Sequence, residues 1–195
     1  MDYIVSGPHD IPTKTIAKGI KHLDLSDEAI KCFWDKAGEE KNLSIESAVG
    51  CYVYAVRAGQ GITPWYIGQA KESFGQEAFS YRNFKIFKQH FDEKINKGTP
   101  VIFFVIRQTP GGKLQAKYDV TEANWVEDYL IRRGLDKNPD LLNKKNTRHF
   151  TNVVIPGIHN AKAKTTADKE LQKVFGMAGP YGFTKSTGKF LKQKA

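Results

Sequence analysis

The chain has 195 residues, of which 40% are hydrophobic and 26% are charged, and its formal net charge is +9. This length can bury a sizeable core, and the longest apolar run, residues 101–106, is too short to span a bilayer. The charge favours a polyanionic partner, nucleic acid before a membrane, and we expect no membrane partner. Because the first residues lack a secretory pattern and the two cysteines have no paired spacing, we expect a cytoplasmic location, nucleoid-associated in a bacterium.

The first predicted element is a helix within residues 24–43. Ser26 is its candidate N-cap, and acidic residues fill the first turn, where they favour the helix dipole. An apolar stripe follows at helical spacing, formed by Ile30, Phe33 and Ala37. We assign this helix a scaffold role in an N-terminal helical extension, residues 1–47.

The next predicted elements are a hairpin and a second helix. Residues 50–57 and 65–69 are strand-like, and the Gly- and Pro-containing turn 58–64 between them predicts an antiparallel pair. A helix is indicated over residues 80–98 by apolar side chains three and four apart, with Gly98 as its expected stop.

A central strand and a third helix complete the predicted core. The continuous apolar run of residues 99–109 is typical of a strand that is covered on both faces. The helix over residues 121–134 is expected to be capped by Thr121 and ended by Gly134. The core order is therefore β-β-α-β-α.

Glu127 is the most informative residue of this last helix. The apolar side of its helical wheel is formed by Trp125, Val126, Tyr129 and Leu130. Glu127 falls at the edge of that side, where a carboxylate is costly unless something satisfies it. The partner is either a cation such as Arg57 or Arg82, a backbone amide, or a divalent metal, and structural ion pairs are the commonest of these.

The last predicted segment, residues 147–195, is basic. Within it, residues 160–195 carry eight lysines against two acidic residues, a net charge of +6. This segment is either a solvated tail or an electrostatic arm for a phosphate backbone, and charge alone does not separate the two. As an arm it would contact nucleic acid through Lys162, Lys164, Lys185, Lys189, Lys192 and Lys194.

Residues 48–146 resemble the GIY-YIG nuclease superfamily. Gly50-Cys51-Tyr52 stands where the family has Gly-Ile-Tyr, and Tyr66-Ile67-Gly68 matches Tyr-Ile-Gly letter for letter. Glu127 within "WVEDYLI" is similar to the family's metal-binding glutamate, and Asn143 to the asparagine that closes the family core. The resemblance implies an α/β (α+β) fold with a small antiparallel three-stranded sheet flanked by helices.

The resemblance also implies a metal-dependent endonuclease that hydrolyses phosphodiester bonds in DNA, with RNA as the other candidate substrate. Glu127 would hold Mg²⁺ or Mn²⁺, Arg82 would clamp the phosphate, and Tyr52 or Tyr66 would orient or deprotonate the attacking water. The supporting residues would be Gly50, Gly68, His90 and Asn143.

The sequence departs from the family at the arginine. The family places an arginine on the helix after Tyr-Ile-Gly, whereas residues 71–79 contain none and the nearest is Arg82. Lys71 and Lys85 are the other cations in reach, although lysine cannot make the bidentate contact of arginine. The alternative is therefore a non-catalytic nucleic-acid-binding module on the same fold, and an interaction protein whose charge is incidental is a third reading. His149 and His159 are too far apart for a zinc site.

Overall fold

The computed structural model describes residues 2–39, 44–108, 111, 113–114, 119–143, 155–156, 160–174, 181–184 and 189–192. Its elements are β1 (Asp2–Asp10), β2 (Thr13–Ala17), β3 (Ile20–Leu23), α1 (Asp27–Glu39), a 3₁₀ turn (Ile45–Ser47), β4 (Gly50–Ala58), β5 (Gly61–Ala70), α2 (Phe74–Glu77), α3 (Tyr81–His90), a π-helical turn (Phe91–Ile95), β6 (Thr99–Gln108), α4 (Val120–Lys137), β7 (Ile155–Pro156), β8 (Asn160–Ala161), α5 (Thr166–Val174), β9 (Tyr181–Thr184) and β10 (Lys189–Lys192).

The main sheet has four antiparallel strands in the order β1-β6-β4-β5, packed with helices, so the fold is α+β. The sequence predicted three strands for this sheet, and the fourth strand, β1, was missed. β1 pairs with β6, from Asp2 opposite Gln108 to Asp10 opposite Val101. The register of β1 shifts between Ser6 and His9, and this irregularity breaks the alternating pattern by which a strand is recognised in a sequence.

The first 47 residues contain strands as well as the predicted helix. β1 belongs to the main sheet, and β2 and β3 form a separate two-stranded hairpin. The helix α1 begins after Ser26, as predicted, and the Ile30 amide donates to the Ser26 carbonyl over 3.0 Å. Phe33 and Trp34 of α1 lie in the core, so the N-terminal region shares its core with the strands that follow.

The antiparallel β4–β5 hairpin was predicted correctly, but its turn is shorter than the predicted residues 58–64. β5 already begins at Gly61, and only Gly59 and Gln60 separate the strands, with Gly59 in the left-handed region at a φ of 58°. Pro64 is tolerated within β5 because β5 is an edge strand, which does not need every amide for pairing.

Two predicted helix ends are also corrected. α4 starts at Val120, and the cap is Asp119, whose carboxylate accepts from the amides of Thr121 and Glu122 over 3.0 and 3.1 Å. Gly134 does not end the helix, which continues to Lys137. A Cβ at Gly134 would lie 2.8 Å from Ile67 Cδ1, so this glycine serves close helix–sheet packing.

The helices pack against alternate residues of the sheet. Tyr52 and Tyr54 of β4 share the larger core with Phe33 and Phe84, whereas Ile67 of β5 packs on α4. The expected apolar side of α4 is partly wrong. Its buried residues are Ala123, Val126, Ile131, Gly134 and Leu135. Trp125 and Tyr129 are 66% and 53% exposed, and their rings stack on each other at 5.6 Å.

Two smaller observations complete the fold. Cys51 is buried and Cys32 is exposed, and both are free thiols. Among the described residues, no helix combines the length and the apolar character that a membrane span needs.

Candidate functional site

Tyr52 is enclosed within the sheet and lies directly against Gly68. The two residues face each other across β4 and β5, and Tyr52 is 1% exposed. A Cβ at Gly68 would lie 2.5 Å from the Tyr52 hydroxyl oxygen. Gly68 is therefore glycine because a side chain there would collide with the Tyr52 ring.

Position 50 also requires glycine for steric reasons. Its φ is 152°, and a Cβ there would lie 2.2 Å from the Val105 carbonyl oxygen of β6. Any other residue would push β4 away from β6 at the point where the Tyr52 segment begins. The first motif glycine thus holds the strand spacing.

Tyr66 is the more accessible motif tyrosine. It is half-buried on β5 opposite Tyr54, with the two rings stacked at 6.0 Å. Tyr54 is in turn 5.1 Å from Tyr52, ring centroid to ring centroid, and its hydroxyl donates to the Ala78 carbonyl. Tyr54 therefore joins the two motif tyrosines into one aromatic row, a role that the sequence did not reveal.

Glu127 of α4 meets β5 through Gln69. The Gln69 amide nitrogen donates to Glu127 Oε2 and, over 2.9 Å, to Asn124 Oδ1. The amide oxygen of Gln69 is buried, and no described residue donates a hydrogen bond to it. Sequence reasoning missed Gln69, although it follows directly on the Tyr-Ile-Gly motif. Arg57, one of the expected partners of Glu127, pairs with Asp10 at 2.9 Å.

Charge and burial act together on the groups around Glu127. Burial, and then the Glu127 carboxylate, raises the pKa of Tyr66 and raises the pKa of Cys51 to about 12. The pKa of Tyr52 is raised by burial first, and then by Tyr66, Glu77 and Glu127. Because Glu127 acts on all three groups, they lie in one electrostatic neighbourhood. Both phenols keep their protons at neutral pH.

The buried Asn143 side chain hydrogen-bonds to the backbone of β5, which is an edge strand. Its Oδ1 accepts from the Ile67 amide over 2.9 Å, and its Nδ2 donates to the Ile67 carbonyl over 2.7 Å. The Leu142 amide donates to the Trp65 carbonyl over 2.8 Å. The segment after α4 thus satisfies the backbone of an edge strand at its motif residues.

Arg82 and His90 occupy the two ends of α3. Arg82 lies in the first turn, as predicted, is exposed, and makes no hydrogen bond or ion pair within the described ranges. His90 is half-buried with its ring 4.5 Å from that of Trp65. Its pKa is lowered by burial and then by Lys94, while Asp140 raises it. The groups of the described residues that raise the pKa of Tyr52 or Tyr66, after burial, are carboxylates, a phenol and a thiol.

The side chains around Glu127 offer oxygen ligands. Among the described residues, no three His, Cys, Asp or Glu side chains form a group that could hold a metal ion. Glu127 Oε2 and Asn124 Oδ1 both accept a hydrogen bond from the Gln69 amide nitrogen, so a carboxylate oxygen and an amide oxygen lie close together. Mg²⁺ and Mn²⁺ prefer oxygen ligands, and Mg²⁺ keeps several waters, so one carboxylate and a neighbouring amide oxygen fit such an ion.

No protein-family model, curated protein or solved structure matches the chain. The resemblance to the GIY-YIG superfamily thus depends on the motif residues themselves and on where the fold places them.

The basic C-terminal segment is described only in part. Lys162 and Lys164 are exposed, and Lys189 and Lys192 belong to β10. Lys185 and Lys194 lie outside the described residues, as do His149 and His159.

Proposed function

We propose that the protein is a metal-dependent endonuclease that hydrolyses phosphodiester bonds in DNA at a GIY-YIG-type site. The observation that carries the proposal is that Glu127 of α4 accepts a hydrogen bond from Gln69, the residue that follows Tyr66-Ile67-Gly68 on β5, while Gly68 lies against Tyr52 of β4. Asn143 supports it, because its two hydrogen bonds hold Ile67 of the second motif. A cytoplasmic, or in a bacterium nucleoid-associated, location belongs to the same proposal.

The proposed chemistry needs a water nucleophile, neutralisation of the phosphoryl charge and help for the leaving oxygen. Glu127 would hold the Mg²⁺ or Mn²⁺, which supplies charge neutralisation and a more acidic water when bound. Because its pKa is raised, the Tyr66 phenol keeps its proton and orients the water by hydrogen bonding. Arg82 is exposed at the start of α3 and can contact a phosphate.

One observation favours the second candidate function, a non-catalytic nucleic-acid-binding module. Arg82, the expected phosphate clamp, is exposed and makes no hydrogen bond or ion pair within the described ranges. Such a module would use the same fold and the same net charge of +9 to bind the phosphate backbone without cutting it.

A plasmid assay separates the two candidates. Supercoiled DNA is incubated with the protein in Mg²⁺, in Mn²⁺ and in EDTA, while binding of the same DNA is measured in parallel. The endonuclease predicts nicking that requires the metal. Equal DNA binding with and without metal, and no nicking in either, would replace the endonuclease by the binding module.

A further inference from the structure

We propose that Gln69 is a positioning residue that fixes the Glu127 carboxylate with respect to β5, the strand that carries Tyr66. This inference rests on the proposed function, because it concerns how Glu127 is presented to a divalent metal. Gln69 itself touches neither Tyr52 nor Tyr66 by any hydrogen bond among the described residues, and it acts through Glu127.

Gln69 links β5, directly after the second motif, to the α4 part of the candidate site. It follows Gly68 on β5 and faces Cys51 across the sheet. Strand alternation puts it on the same side as Ile67, which packs on α4. Asn124 and Glu127 are three residues apart on α4, so they share a helix face, and one amide group can donate to both.

The two acceptors determine how the Gln69 amide is oriented. Its nitrogen carries two donors, and both find an oxygen, one from Glu127 and one from Asn124. The reverse orientation would set the amide oxygen against the Glu127 carboxylate. The two hydrogen bonds donated by the Gln69 amide nitrogen therefore hold Glu127 and Gln69 in a single arrangement.

This arrangement lowers the stability of the fold, which a residue with only a structural role would not do. Within the described part of the chain, the Gln69 amide oxygen is buried without a partner, and such an atom loses its hydrogen bond to water without replacement. Leucine has a similar size and no polar atom to strand. A side chain that is kept at a cost in stability, beside the proposed metal ligand, is typical of a functional site.

A pre-oriented carboxylate binds a cation better than a freely rotating one. Hydrogen-bonding partners of metal ligands typically change metal affinity or activity by about 10- to 100-fold. We therefore expect Gln69→Leu to weaken Mn²⁺ binding, followed by electron paramagnetic resonance, by about 10- to 100-fold. Nicking at limiting Mn²⁺ should slow in proportion and recover as Mn²⁺ is raised, while the melting temperature stays the same or rises.

Gln89→Leu is the matched control. Gln89 is exposed on α3 and also donates to a glutamate, Glu93, over 3.2 Å, whereas α3 packs on the larger core and not on the cluster of Ile67 and α4. This variant should bind Mn²⁺ and nick DNA as the unmodified protein does. Asn124→Ala is a second test on an exposed residue, so folding is retained, and it should weaken Mn²⁺ binding in the same direction by less.

The outcomes separate the inference from the function that it rests on. If the unmodified protein nicks DNA with Mn²⁺ and both Gln69→Leu and Asn124→Ala bind Mn²⁺ unchanged, the positioning role is wrong and the endonuclease stands. A lower melting temperature for Gln69→Leu with unchanged Mn²⁺ affinity would make Gln69 a structural residue only. If the unmodified protein neither binds Mn²⁺ nor nicks DNA, the proposed function fails, and the inference fails with it.

Discussion

At the scale of single residues, Gly68 and Tyr52 pack so closely that no side chain fits at position 68. A Cβ at position 68 would lie 2.5 Å from the Tyr52 hydroxyl oxygen. Gly68→Ala must therefore displace the Tyr52 ring, and we expect it to lower the free energy of unfolding by about 1–3 kcal/mol, the usual effect of overpacking. Urea unfolding measures the change.

Gly61→Ala is the control for this prediction. It lies on the same strand, and its nearest non-neighbouring atom, the Ala58 carbonyl oxygen, would be 3.6 Å from an added Cβ, an ordinary contact. Its unfolding free energy should change by less than about 0.5 kcal/mol. Equal effects at positions 61 and 68 would show that contact with Tyr52 is not the reason for the glycine.

The buried tyrosines predict how stability changes at high pH. Burial raises the pKa of Tyr52 and Tyr54 in the folded state, whereas an unfolded tyrosine titrates near ~10. Above ~10 the unfolded chain loses protons that the folded chain keeps, so stability is complete below that pH and falls above it. Each such phenol contributes a slope of about 1.4 kcal/mol per pH unit.

Tyr52→Phe removes one of these phenols and should make the alkaline loss of stability shallower by that amount. Urea midpoints of the variant and the unmodified protein, compared from about pH 8 to about pH 11, test the prediction. The other titrating groups are common to both proteins and cancel in the difference. Parallel curves would mean that the Tyr52 phenol ionises as readily in the folded state as in the unfolded chain.

The sequence predicted the motif residues better than it predicted their surroundings. Tyr52, Tyr66 and Asn143 stand out because motif letters are local in the chain. Gln69 does not, because its partners on α4 are set by the register of β5 and by the rotation of that helix. Long-range packing of this kind leaves no pattern in the neighbouring residues.

At the scale of elements, the start of α4 determines where Glu127 is presented. Asp119 accepts hydrogen bonds from two amides of the first turn. Asp119→Ala should lower the free energy of unfolding by about 0.5–2 kcal/mol, the usual value of an N-cap. Thr121→Ala, the position that the sequence favoured, should change it by less than about 0.5 kcal/mol. Thermal or urea unfolding of both variants decides which residue is the cap.

The predicted elements and the observed ones differ where tertiary contacts override local preference. The order β4, β5, α3, β6 and α4 follows from apolar periodicity and was predicted correctly. Trp125 and Tyr129 were predicted to be buried, yet α4 presents a different face, because the small residues Ala123 and Gly134 allow close approach to the sheet. A glycine inside a helix and a glycine at its end look alike in a sequence.

At the scale of the whole molecule, charge predicts how DNA binding responds to salt. Residues 160–195 hold +6 of the net charge of +9, and Lys162 and Lys164 are exposed within them. If both contact phosphates, the double change to alanine should reduce the slope of log K against log salt by about 1.8. The double change of Lys31 and Lys36 on α1 removes the same charge and should leave the slope nearly unchanged. Equal slopes for both pairs would show that the C-terminal lysines are a solvated surface.

Glu127 is the residue on which the proposed metal site depends most directly. Metal-dependent nicking of supercoiled DNA is measured for Glu127→Gln and for Asp128→Asn, which removes the same charge one residue away on α4. Removing a direct metal ligand should slow nicking more than removing a hydrogen-bonding partner of that ligand. The rate for Glu127→Gln should therefore fall by more than about 100-fold. Asp128→Asn should keep nearly the full rate. Nicking that survives in a folded Glu127→Gln variant would contradict the assignment of the metal to Glu127 and the proposed site.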